Sequence, residues 1–359
     1  MPINRVYHTW LQALLQIQSK QRITLVRNFA WLMAGLYVSK SIHLSRIADE
    51  ISWQVKLPSA TRRLSRLLAN HLLHVRPWYE PIAKMLLEAQ LATLGEIRLI
   101  TDGSKVGFNH QLLMVSIAFR RRALPIVWTW VPHKRGHSST AKQKALLAYV
   151  RKLLPENAPV VIVGDAEFGE VSVLKQLDAW QWGYVLRQRS SFLVYSSDAN
   201  IWQALGTFLS KPGQQLWIAS TLLTQKHQYS VNLLLYWKRG ESTPWLLATN
   251  LTSSRLAYRN YRRRMWIEEM FGDFKGHGFD LEATYLRHFL RLSRLTLAVA
   301  LLYVWLSATG SSIIKRGLRS LVDRKDRRDL SIFRIGWSFI KYRLKNQLDF
   351  SFRLRPYFV

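Results

Sequence analysis

The feature that most constrains this chain is a series of short apolar segments between residues 97 and 189, alternating with two helical ones in a fixed order. IRLIT (97–101), LLMVSIAF (112–119) and LPIVWTWV (124–131) are apolar and β-branched, with the short turns GFNH and RRRA between them, and predict three antiparallel strands. SSTAKQKALLAYVRKLL then predicts an amphipathic helix, VVIVGD a fourth strand, EVSVLKQLDAWQ a second helix and GYVLRQR a fifth strand. The fold class is α/β. Two of these segments end in acids, Asp102 after IRLIT and Asp165 after PVVIVG.

A third acid comes from AYRNYRRRMWIEEMFGDFK, residues 257–275. On one helix at about 100° per residue, Tyr261, Arg264, Glu268 and Lys275 fall within roughly 60° of one another. Ile267, Met270, Phe271 and Phe274 form a neighbouring apolar face that seats the helix on a core. By itself the pattern is equally that of a solvated helix with an i, i+4 pair between Arg264 and Glu268. With Asp102 and Asp165 it reads as three carboxylates for a magnesium site. Glu269, about 100° off the stripe, ranks behind Glu268. Glu167 in GDAEFG is a competitor of Asp165, and Asp273 and Asp280 read as surface acids or caps.

The order and spacing resemble the DDE transposases of bacterial insertion sequences, in particular the insertion-sequence-four family with its Y-(2)-R-(3)-E-(6)-K signature. Tyr261, Arg264, Glu268 and Lys275 meet that signature without a gap. The resemblance covers about 95–310 and implies an RNase H-like catalytic core, a mixed five-stranded sheet with helices, interrupted by a β-rich insertion. It implies a catalytic and metal-binding triad of Asp102, Asp165 and Glu268. Two Mg2+ ions, replaceable by Mn2+, would lie about 3.5–4 Å apart, with Asp102 bridging both. Tyr261, Arg264 and Lys275 would grip phosphates beside the scissile bond.

Composition agrees with a polyanionic partner. The 359 residues carry 52 Lys and Arg against 22 Asp and Glu, a formal net charge of +30. The basic residues are spread along the chain, which favours double-stranded DNA over a membrane surface. The absence of cysteine excludes disulfides and thiolate metal sites, and with no apolar h-region at the start it predicts a cytoplasmic, nucleoid-associated bacterial protein. LTLAVALLYVWLSA (295–308) is shorter than a membrane span and reads as a buried helix.

Residues 1–80 predict a helical DNA-binding region that ends near Pro77. Within it 43–70 is helix-turn-helix-like, with Ser59 as N-cap and Thr61, Arg62, Arg63 and Arg66 on the second helix; Arg62 and Arg66 are the candidate DNA contacts. The catalytic domain takes 95–189 and 251–310, the β-rich insertion 190–250 and a basic C-terminal region 311–359. Trp202, Trp217, Trp237 and Trp245 of the insertion are core candidates, and one could stack on a displaced base. His133 and His137 in PHKRGHSS lack a third ligand and read as a basic loop rather than a zinc site. The expected activity is terminal-repeat binding, strand cleavage and 3′-OH strand transfer by at least a dimer on DNA. The alternatives are an RNase H-like nuclease without strand joining, and a non-catalytic DNA-binding derivative.

Overall fold

The computed structural model describes residues 2–107, 110–132, 138–196 and 199–358. Five helices come first: α1 (Pro2–Ile17), α2 (Ile23–Ser39), α3 (Leu44–Asp49), α4 (Leu57–Ala69) and α5 (Val75–Leu94). α4 begins two residues ahead of Ser59, with Pro58 in its first turn, where a missing N–H costs nothing; Ser59 is therefore inside the helix rather than its cap. Pro77 likewise lies in the first turn of α5 and opens a helix.

The predicted alternation follows as β1 (Ile97–Val106), β2 (His110–Phe119), β3 (Arg122–Pro132), α6 (Thr140–Leu153), β4 (Val160–Gly164), α7 (Val171–Ala179) and β5 (Gly183–Arg187). β1, β2 and β3 pair antiparallel in sequence, while β4 runs parallel to β1 and β5 parallel to β4. The resulting order 3-2-1-4-5 is that of an RNase H-like core. β2 is buried along its whole length, which is why LLMVSIAF is a continuous apolar run rather than an alternating one. Ser116, the one polar residue within that run, donates to the carbonyl of Ile100 at 3.3 Å.

β6 (Leu193–Ser196), β7 (Ile201–Ala204), β8 (Gln215–Leu223), β9 (Tyr229–Tyr236) and β10 (Trp245–Thr249) come next. β10 pairs antiparallel with β5, so these strands extend the same sheet to ten, in the order β3-β2-β1-β4-β5-β10-β9-β8-β6-β7.

The one helix expected over 257–275 is two. α8 (Ser254–Tyr261) and α9 (Met265–Phe274) are separated by a turn at Arg262, Arg263 and Arg264. α8 rests on β4 and β5, and α9 on β1, β2 and β3. α10 (Phe289–Lys315) is the core helix of the molecule, with every residue from Leu292 to Ser311 except Ser293 buried. Its 27 residues exceed the expected 295–308 and are long and apolar enough to cross a membrane, yet 89% of its most apolar stretch is inside this fold. Arg294 on α10 donates to the carbonyls of Leu68 and Leu73 at 2.8 and 3.0 Å, tying it to the end of α4. α11 (Ile332–Lys345) packs across α10 where Gly310 and Gly336 meet. A Cβ on Gly336 would strike the Leu306 carbonyl, and one on Gly310 the Ile332 carbonyl.

Candidate active site

Two parallel neighbours carry the first two acids. β1 and β4 pair with Thr101 opposite Gly164, so Asp165, the residue after β4, lies beside Asp102, which is not at a strand end as the sequence suggested but inside β1, opposite Met114 of β2. Adjacent strands lie about 4.7–4.9 Å apart. Asp102 is 9% exposed. Its Oδ1 accepts from the Gly103 N–H at 2.7 Å, and its Oδ2 from Arg264 Nη1 at 2.9 Å. Burial pushes its carboxyl up to about 7; Arg264 and the Gly103 N–H oppose that, and the charges of Asp165 and Glu268 add to it. Asp165 heads a single 3-10 turn, Ala166–Phe168, and its Oδ1 is buried without a hydrogen-bond partner. A buried carboxylate oxygen in that state is costly and calls for a cation or donor.

Arg264, in the turn before α9, gathers the acids. It is 8% exposed, and its Nη2 donates to Glu268 Oε1 while Nη1 holds Asp102. Burial works against its charge, but Asp102, Tyr261, Glu268 and Asp165 outweigh it and raise its pKa. Two of the three acids predicted from sequence, Asp102 and Glu268, therefore bond one guanidinium, while Asp165 acts on it only through its charge. Among the described residues no three His, Asp or Glu side chains stand together as a ready-made ligand set, and Arg264 bonds oxygens of Asp102 and Glu268. The donor chemistry itself suits a divalent ion: carboxylate oxygens, one of them unpartnered.

The rest of the expected stripe is distributed differently. Tyr261 is 2% exposed, its ring edge-on to Trp245 with centroids 5.0 Å apart, and its buried hydroxyl has no partner. Burial raises its pKa. Lys275 caps α9 and pairs with Glu282 at 2.6 Å, and Arg62 and Arg66 are exposed on α4. Of the four insertion tryptophans, Trp245 is the one set edge-on to Tyr261, whereas Trp237 donates to the Glu241 carbonyl, Trp202 packs on Tyr195 and Trp217 on the core. His133 and His137 lie outside the described residues.

The competing acids have structural work. Glu167 accepts from Gln111 Nε2 at 2.9 Å and from the N–H and Oγ of Ser138, both at 2.5 Å, fastening the approach to α6 to β2. Glu269 pairs with Arg122 at 2.7 Å. Asp273 is not the surface acid expected: it is 2% exposed, pairs with Arg122 at 3.1 Å, and burial pushes it up to about 6 against Arg122, Arg334 and His277. Arg122 thus docks the β2–β3 hairpin on α9, a role the sequence signals only as one of three consecutive arginines in a turn.

A family model described as "Transposase DDE domain" matches residues 100–305, a span that contains Asp102, Asp165, Arg264 and Glu268. No curated protein matches the chain. Among solved structures it is similar to a piggyBac transposase synaptic complex with hairpin DNA, at 12% sequence identity and a TM-score of 0.41, over 96% of this chain and 79% of that chain.

Proposed function

Because the chain belongs to the transposase DDE domain family, we propose that it is a DNA transposase of an insertion sequence, one that binds the terminal inverted repeats of its element, cleaves the strand with water and joins the freed 3′-OH to target DNA. The observation that supports the reading is that Arg264 bonds both Asp102 and Glu268 inside the matched span, with Asp165 following β4, the parallel neighbour of β1. Spacing at Tyr261, Arg264, Glu268 and Lys275 supports the insertion-sequence-four branch. The charge of +30 supports duplex DNA as the partner, with Arg62 and Arg66 on α4 as contacts to the repeat.

Asp102, Asp165 and Glu268 are the residues that would hold Mg2+ or Mn2+, which supplies charge stabilisation at phosphorus and an acidic bound water. Arg264 serves anions in turn. With no DNA bound it neutralises Asp102 and Glu268, and a DNA phosphate entering beside α9 competes for the same guanidinium and frees their oxygens. Trp245 and the turn at 262–264 fix Tyr261 and Arg264 from either side. Handling two element ends in concert requires a homodimer on DNA.

Joining of a labelled element end to a supercoiled plasmid in Mg2+ or Mn2+ tests the proposal. Covalent joined product is expected. Cleavage that never yields joined product would reduce the protein to a nuclease, and binding with neither would make it a non-catalytic derivative.

A further inference from the structure

The β2–β3 hairpin turns through two residues, Arg120 and Arg121, closed by the pair Phe119 and Arg122. Both have positive φ, 44° and 65°. That is the backbone of a two-residue turn usually filled by Asn-Gly, because L side chains with a Cβ are disfavoured there. Arginine is an unsuitable residue for the turn on folding grounds. The tip is nonetheless held in place: Arg122 fastens it to Glu269 and Asp273 of α9, next to Glu268.

An open groove lies between this tip and the start of α9, lined by Arg121, Arg122, Arg259, Arg262 and Arg263 and reaching Glu268. Its acids are engaged, Glu268 with Arg264 and Glu269 with Arg122. Among the described residues no carboxylate forms an ion pair with Arg121, Arg259 or Arg262, and all three are exposed. Arg263 donates to Asn260 Oδ1 at 2.5 Å; burial, then Arg98 and Arg259, press its pKa down to about 10. Guanidinium groups crowded with so little compensation repel one another, and a chain of phosphates relieves that.

We propose that Arg121 of the hairpin, with Arg259, Arg262 and Arg263, forms a cradle for the phosphate backbone of duplex DNA next to the bond attacked at Glu268, and that the left-handed turn keeps arginine at this position for that contact at the expense of fold stability. The proposal rests on the transposase reading for the identity of that bond. Planar forked donors on both sides of a groove suit successive phosphates and carry no base readout.

The test is the double variant Arg120→Asn, Arg121→Gly in the full chain, with Arg262→Gln as a variant outside the turn and Lys211→Gln, Lys226→Gln as a pair that removes equal charge from exposed loops. Affinity for a duplex of arbitrary sequence is measured across a salt series, with thermal melting alongside. The hairpin variant is expected to melt higher than the parent and, through the loss of Arg121, to flatten the salt slope by about one, and Arg262→Gln to flatten it by about one. The lysine pair should leave the slope close to the parent's. An unchanged slope in the hairpin variant and in Arg262→Gln, or an equal loss from the lysine pair, would overturn the cradle. A lower melting point for the Asn-Gly hairpin would overturn the claim of a turn kept against stability. Failure of the transposase reading looks different: steep, arginine-dependent binding by a parent that never cuts or joins its element's end.

Discussion

At Asp102 two demands compete. A carboxylate buried in the middle of β1 is costly to ionise, and Arg264, 162 residues away in sequence, offsets part of that cost. Replacing Arg264 with Gln should destabilise the free protein by about 3 kcal/mol at neutral pH, because the buried Asp102 carboxyl loses its ion-pair partner and must take up a proton. Combining it with Asp102→Asn should recover most of that loss, which denaturant melts of the single and double variants would measure; additive losses would separate the two residues. The positions of Asp102, Asp165 and Glu268 were legible because each closes a recognisable segment or sits at fixed spacing within one. Arg264 as the hub was not, since its i+4 relation to Glu268 is visible in the chain while its bond to Asp102 depends on how α9 lands on the sheet. Glu167 was ambiguous for the same reason: its partners Gln111 and Ser138 come from separate segments.

Among the elements, the five core strands and their order were readable from composition and turn spacing, and the break between α8 and α9 was not. Arg262, Arg263 and Arg264 are good helix formers, so no local signal stops the helix, and tertiary ion pairing decides. The docking of the β2–β3 hairpin on α9 should be pH dependent. Asp273 holds its proton up to about 6 in the fold, against an ordinary value of 3.8. The folded state therefore binds more protons between about pH 4 and 6, and this group's contribution falls as pH rises through that window, by about 3 kcal/mol in all. Asp273→Asn should make stability less steeply decreasing with pH over that range, and an unaltered slope would mean that Asp273 titrates as it does in the unfolded chain. At the crossing of α10 and α11, Gly336→Ala drives a methyl at the Leu306 carbonyl and should cost about 1–3 kcal/mol in a chemical melt. A neutral result would mean that the two helices separate without penalty.

For the whole molecule, the ten-stranded sheet serves as a platform on which distant segments meet. β1 and β4 bring two acids, the α8–α9 turn brings a guanidinium and a third acid, and the strands from 193 to 249 bring Trp245 against Tyr261. Composition points to a polyanionic partner, but gives no sign that the basic C-terminal region contributes a helix whose Phe333, Trp337 and Ile340 complete the core around α10. On the proposed function, a net charge of +30 on such a frame would make binding steeply salt dependent, whereas the chemistry would depend on three side chains. The most direct measurement is therefore cleavage and duplex binding, side by side, for the parent and for Asp102→Asn, Asp165→Asn and Glu268→Gln on the element's own end with Mg2+ or Mn2+. The account predicts that each variant loses cleavage by at least about a hundredfold while binding the end as well as the parent; full cleavage by any one of them would contradict it.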